Sequence, residues 1–212
     1  MTTLGSVTTA IARRLLDENN TAVTLVEIRE AVNEAIQYWK HKRFWFNSAE
    51  AALTIDEDDD SIDLPSDFLV EIPRNALIII ESGSSYKVEK VGPVLFDARS
   101  STSSTGRPSS FINRNGNLQI TPAANQSYSG KLYYIKDYDD FATDGTADST
   151  SNDFLNNALA LVQSHALANL FAELRHDIEM ESRYTSKAEM EYNNLLRRTN
   201  KALRSGSLTI EQ

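Results

Sequence analysis

Helical and strand patterns are segregated along this chain. Residues 4–46 and 153–204 carry apolar side chains at helical spacing, whereas roughly 50–137 alternates apolar with polar residues between turn signals. The order helices, strands, helices predicts that the two ends pair and that the middle forms its own layer. The expected fold class is α+β: a helical bundle domain from residues 1–46 and 138–212, with an inserted antiparallel β-rich subdomain over 47–137.

The spacing predicts a first helix from about Thr3 to Asp17, with Leu4, Val7, Ile11 and Leu15 in one stripe and Leu16 beside it. Glu18-Asn19-Asn20 breaks the pattern. A second helix opens at Thr24, where Thr24 and Glu27 have capping-box spacing, and buries Ile28, Val32, Ala35, Ile36 and Trp39. Phe44-Trp45-Phe46 reads as an aromatic anchor at the seam. A third helix is expected after Ser151 or Asn152, burying Leu155, Ala158, Leu159, Val162, Ala166, Leu170 and Leu174. A fourth carries Ile178, Tyr184, Ala188, Tyr192, Leu195 and Leu203. Neither Gly nor Pro forces a stop at His176-Asp177 between them. Leu4, Val7, Ile11, Ile28, Val32, Ile36, Leu159, Val162 and Leu170 are expected to share one core.

In the insert, Ala52–Ile55 and Ser61–Leu64 read as two short strands joined by the acidic turn Asp56–Asp60. Ala76–Ile80 is β-branched and apolar on both faces, hence a central strand. Tyr86–Val91 alternates, Val94–Asp97 suggests one helical turn, and Asn115-Gly116 is a strong hairpin signal. Leu132–Ile135 supplies a last strand.

Composition excludes several functions. A net charge of −9 argues against coating nucleic acid or membrane, although DNA could slide past such a surface. The chain has no cysteine, hence no disulfide framework, thiolate metal site or cysteine nucleophile. No signal peptide is expected at Met1-Thr2-Thr3-Leu4-Gly5, and no apolar run approaches the ~20 residues of a membrane span.

Catalytic signals are missing too. On one unbroken helix His165 and His176 would stand about 16 Å apart, too far to share a metal, and with His41 they read as core or surface histidines. Asp56, Asp58, Asp60 and Asp67 approximate a calcium-loop spacing, but Ser61 replaces the required Gly and Asp67 the bidentate Glu. Asp137, Asp139 and Asp140 read as hydrated loop carboxylates. No Gly-x-Ser-x-Gly elbow or phosphate-binding glycine loop occurs. No enzyme, cofactor or metal is expected.

Two basic clusters remain, Lys40-His41-Lys42-Arg43 and Arg197, Arg198, Lys201 and Arg204. Both complement the negative end of a helix dipole, and both also suit docking on an acidic partner.

The motifs also have an order. A helix pair ends in Tyr38-Trp39 and Phe44-Trp45-Phe46, and a strand pair closes on Leu64-Pro65-Ser66-Asp67-Phe68-Leu69. Thr105-Gly106-Arg107-Pro108 precedes the hairpin, followed by Leu118-Gln119-Ile120-Thr121-Pro122, a Tyr133-Tyr134 strand, an acidic linker and a long helix pair. Over nearly the whole chain this resembles the head–tail adaptor (connector or gatekeeper) proteins of tailed bacteriophages. The resemblance implies a virion protein at the neck, built in the host cytoplasm. Twelve copies would form a ring beneath the portal protein, extend the channel for double-stranded DNA, and offer a platform to a tail or nozzle protein. It implies no fixed catalytic residues.

On that resemblance, Arg197, Arg198, Lys201 and Arg204, with Leu208 and Ile210 of the tail, are expected to contact the portal. Charge repulsion predicts a monomer when free. The rival reading is a carbohydrate- or receptor-binding β module of a phage tail structure, which requires exposed tyrosines on the insert. A third, an enzyme with its site in the acidic loops, requires a metal.

Overall fold

The computed structural model of the protein describes residues 1–15, 23–73, 76–101 and 104–204. Leu16, Asp17, the Glu18-Asn19-Asn20 break, the centre of the Ser/Thr loop and the tail with Leu208 and Ile210 lie outside the described residues. In chain order the elements begin with α1 (Leu4–Arg14), α2 (Leu25–Trp39), β1 (Ser48–Ile55), β2 (Ser61–Asp63), β3 (Phe68–Glu71), β4 (Leu77–Glu81) and β5 (Ser84–Lys90). There follow α3 (Pro93–Ser100), β6 (Thr105–Gly106), β7 (Ser110–Arg114), β8 (Asn117–Thr121), β9 (Ala123–Ala124) and β10 (Tyr128–Lys136). The chain ends with α4 (Asp153–Asn157), α5 (Leu159–Leu170), a π turn over Phe171–Arg175, and α6 (Ile178–Arg204). The fold is mixed α+β. Among the described residues it divides into two compact units, one from 1–47 with 138–204 and the other from 48–137.

In the helical unit, the Thr24–Glu27 capping box forms as its spacing predicts, and Thr3 adds a cap that the sequence reading did not single out. The Thr3 hydroxyl accepts from the Ser6 N–H at the start of α1. At α2 the Thr24 hydroxyl accepts from the Glu27 N–H (3.2 Å), while the Glu27 carboxylate accepts from the Thr24 N–H (2.6 Å). Those bonds hold the Glu27 carboxyl below its ordinary pKa. Leu4, Val7, Ile11, Ile28, Val32, Ile36, Val162 and Leu170 are buried in one core with Trp39, Phe44, Phe154 and Leu167. Leu159 packs against that core half-buried.

The C-terminal helices differ from the expected pair. Asn152 caps α4 by accepting from the Leu155 N–H (3.0 Å), but the helix breaks at Ala158, with φ −127° and ψ 26°. An unbroken helix would set Leu155 and Leu161 about 120° apart. The break lets both be fully buried. After α5 and the π turn, His176 takes the left-handed conformation at φ 50°, one that His adopts more readily than most residues. Asp177 then accepts from the Met180 N–H (3.0 Å) and starts α6. At this corner Leu174 and Ile178 are exposed, against the expected burial of Leu174, because the chain turns before a helical face reaches the core.

The insert is one eight-stranded sheet in the order β1-β10-β4-β5-β7-β8-β2, with β3 pairing beside β4 on β10. The first two strands do not form the expected hairpin. β1 pairs with β10 and β2 with β8, at opposite edges. The acidic segment between them is tied to 120–124: Asp58 N–H donates to Ala124 O (2.8 Å), and Ala124 N–H donates to Asp59 O (2.9 Å). β4 is central as expected, with Leu77 and Ile79 fully buried. Val94–Asp97 extends to the eight-residue α3, which carries the chain from β5 to a parallel pairing with β7. That pairing and the short β6–β9 pair are parallel; the remaining pairs are antiparallel. Asn115 and Gly116 turn the β7–β8 hairpin, both at positive φ (56° and 82°), as a type I′ turn requires.

Candidate docking surface

α6 is amphipathic along 27 residues. Ala188, Leu195 and Thr199 are its buried residues, and Tyr184 and Tyr192 pack against the same core. Arg197, Lys201 and Arg204 fall at i, i+4 and i+7, within about 60° of one another and opposite that buried face. Arg198 flanks the stripe. All four cations are exposed, and none is paired with a carboxylate among the described residues. The Thr199 hydroxyl is turned inward and donates to Leu195 O (2.9 Å), so the helix sends no polar side chain outward there except the cations and Asn200. The structure brings the four predicted cations together; the predicted tail contacts Leu208 and Ile210 lie outside the described residues.

The second basic cluster forms the turn after α2. Asn47, fully buried, organises it: its side-chain N–H groups donate to Lys40 O (3.2 Å) and Lys42 O (2.8 Å), and its Oδ1 accepts from the Phe44 N–H (2.8 Å). Burial lowers the pKa of Arg43, whose buried Nε finds no hydrogen-bond partner among the described residues. Phe44 stacks on Phe46 at 5.2 Å and meets Phe154 edge-on, so the aromatic run is part of the helical core.

His165 is packed among aromatic rings and His176 shapes a turn. His165 accepts at Nδ1 from the Trp39 indole N–H (3.2 Å) and lies 4.7 Å from the Tyr38 ring, and burial lowers its pKa. His176 belongs to the corner before α6, so the two are not on one continuous helix. Among the described residues no group of three His, Asp or Glu side chains could hold a metal.

The acidic linker is anchored by α2. Arg29 donates from Nε and Nη2 to the two Asp148 oxygens (2.9 and 2.8 Å) and from Nη1 to Thr143 O (3.0 Å). Asn33 exchanges two bonds with the Phe141 backbone, and Tyr138 donates to Asp153 (2.9 Å). Arg29, Asn33 and Asn47 were missed at the sequence level. Arg29 and Asn33 find partners more than a hundred residues away, and nothing local announces them.

The ordered motifs of the insert prove to be joints. Phe68 N–H closes a turn on Pro65 O (3.0 Å), and the Asp67 carboxylate accepts from the Tyr134 hydroxyl (2.7 Å). Burial, with Asp67 as acceptor, pushes the Tyr134 hydroxyl well above the ordinary tyrosine range. Arg107 lies 3.7 Å over the Tyr86 ring and bonds Glu81 at 3.0 Å. Gly106 is close to Pro122, which follows a cis peptide bond; a Cβ at Gly106 would stand 3.2 Å from the proline Cγ. Tyr128 and Tyr134 are buried, and Tyr86 and Tyr133 are partly covered, so the insert presents no exposed tyrosine for stacking a sugar.

No helix among the described residues is long and apolar enough to cross a membrane. No curated protein matches the sequence. The family model described as SU10 adaptor protein matches residues 2–210, nearly the whole chain. With the motif order at the seams, that match makes the chain a member of the SU10 adaptor protein family, a component of the bacteriophage particle.

Proposed function

We propose that this chain is the head–tail adaptor of its phage, a structural protein of the neck rather than an enzyme. Twelve copies form a ring beneath the portal protein, extend the DNA channel and offer the tail or nozzle protein its attachment platform. Assembly takes place in the host cytoplasm, and the ring serves genome ejection thereafter. The observation that carries this reading is the adaptor-family match over residues 2–210. The cationic stripe of α6 supplies a contact: Arg197, Arg198, Lys201 and Arg204 face away from the core, free to meet acidic groups of the portal. Leu208 and Ile210 follow them in sequence and add apolar grip. The net charge of −9 suits a channel that passes double-stranded DNA without retaining its phosphates.

The test is electron microscopy of the protein mixed with the portal of the same phage. A twelve-fold collar on the portal is expected, and a mixture without a collar overturns the adaptor reading. The double variant Arg197→Glu/Lys201→Glu, and separately deletion of residues 205–212, should weaken that binding while α-helix content stays unchanged. Undiminished binding by either removes that segment from the contact.

A further inference from the structure

The eight-stranded sheet ends differently at its two edges. One edge is β2, only three residues long and bounded by Asp60 and Asp63, a short acidic strand of the kind that discourages pairing. The other is β1, eight residues in unbroken register against β10, without proline, lysine or bulge. Long regular edges of this kind are templates for another strand.

The backbone groups that β1 leaves open follow from β10. Tyr133 donates its N–H to Ala76 O (2.7 Å), and its carbonyl accepts from the Ile72 N–H (3.0 Å). Odd-numbered residues of β10 therefore face β3 and β4, and even-numbered ones face β1. Through the register, Ala49, Ala51, Leu53 and Ile55 bond to β10, and Glu50, Ala52 and Thr54 turn both N–H and C=O outward. Those outward groups bond to no other segment among the described residues. An unmet row of donors and acceptors spaced about 7 Å apart fits an added strand.

We propose that the occupant is β1 of a second copy, paired antiparallel about a two-fold axis at Ala52. The strand is self-complementary in that register. Glu50 stands opposite Thr54, Ala52 opposite Ala52, and Thr54 opposite Glu50, so every outward N–H and C=O of these residues finds a partner. On the opposite face Ala51 meets Leu53, which continues the apolar surface that Ala49, Ala51 and Leu53 pack against the insert's core. The two Glu50 carboxylates lie about 14 Å apart along the pair, and each is already held by Lys131 at 2.6 Å. Slipping the register until Glu50 faces Glu50 sets like charges directly opposite, which is unfavourable. The pairing is a property of the free protein at high concentration, where it replaces the monomer expected from charge alone, and does not depend on portal docking. Long-range repulsion from nine excess negative charges opposes it, so it strengthens as salt screens that repulsion.

The test is sedimentation of the full chain from micromolar to millimolar concentration at low and moderate salt, with hydrogen exchange in parallel. A monomer–dimer equilibrium is expected, shifted toward dimer by salt. The amides of Glu50, Ala52 and Thr54 should gain protection with concentration, while those of Ala49, Ala51 and Leu53 are protected throughout. Ala52→Pro removes the central donor from an edge position that tolerates proline, and Ala52→Lys sets two ammonium groups face to face. Each should weaken dimerisation by about tenfold or more with the monomer's circular dichroism unchanged. Three results overturn the proposal: a monomer at every concentration, a dimer of equal affinity in both variants, or concentration-dependent protection that spares β1.

Discussion

The ion pair between Arg29 and Asp148 should respond asymmetrically to losing one partner or the other. The Arg29 side chain is 7% exposed and the Asp148 side chain 41%. Replacing Asp148 by Ala strands a buried guanidinium with one remaining acceptor, the Thr143 carbonyl. A buried charge that loses its direct partner in this way costs about 3–5 kcal/mol, and the nearby Asp144 carboxylate, which also feels the Arg29 charge, pulls the figure toward the lower end. Replacing Arg29 by Met removes the buried charge, keeps most of the side-chain volume, and leaves a carboxylate that water can already reach. The residual loss is a pair of charge-assisted hydrogen bonds, offset by relief of the desolvation cost, for a net of about 1–2 kcal/mol. Asp148→Ala should therefore be the worse change by about 2 kcal/mol, which in a chain of this size lowers the melting temperature by a further ~4–8 °C. Thermal melts followed by circular dichroism at the helical band measure the difference. If Arg29→Met melts below Asp148→Ala, the burial argument is wrong.

Replacing Ile36, 2% exposed on α2, by Asp should unfold the helical unit at room temperature, because an unpaired buried carboxylate costs several kcal/mol; a cooperative melt of the purified variant refutes this. Burial lowers the His165 pKa, with the Glu34 charge opposing, so below about pH 6.5 the unfolded chain takes up a proton that the folded imidazole resists. Stability should consequently be full above that pH and decline as pH falls through it. Urea titrations between about pH 7 and pH 5 measure this window, which lies above the range where carboxylates titrate. His165→Gln, which keeps an acceptor for Trp39 but cannot titrate, should flatten the slope, and an unchanged slope assigns it elsewhere.

Periodicity made most of the helical unit legible. The stripe Ile28, Val32, Ala35, Ile36 and Trp39 is buried as its spacing requires, and the Thr24–Glu27 box sits at the start of α2. What escaped was decided by distant partners. The π turn and the left-handed His176 answer to the packing of Phe171 and Tyr184, stacked at 5.6 Å, and no glycine marks the stop. In the insert, strand positions and the Asn115-Gly116 turn were local signals. Pairing was not local: proximity in sequence suggested that β1 and β2 form a hairpin, whereas the hydrogen-bond ladders send them to opposite edges of the sheet. The cations of α6 were visible as a charge pattern, and the structure adds that they stand opposite the buried face, which spacing alone does not settle without the core in place.

The ordered motifs on which the resemblance was read are structural joints, and the structure gives the physical reason. Asp67 receives a hydrogen bond from Tyr134, Arg107 covers Tyr86 and bonds Glu81, and Gly106 leaves room for Pro122. Each fixes a point where the chain changes direction between strands that are far apart in sequence. Such joints tolerate few side chains, because a lost acceptor leaves a buried hydroxyl unpaired and an added Cβ meets a ring. The exposed faces are under no such restriction. A docking protein can change its outward charges to suit a partner while keeping its joints, so a resemblance built on joints identifies the fold and the family without identifying the contact. For this chain the contacts have to be sought where the fold leaves groups unused: for a partner on the α6 cations, which meet no carboxylate among the described residues, and for a second copy along the open edge of β1.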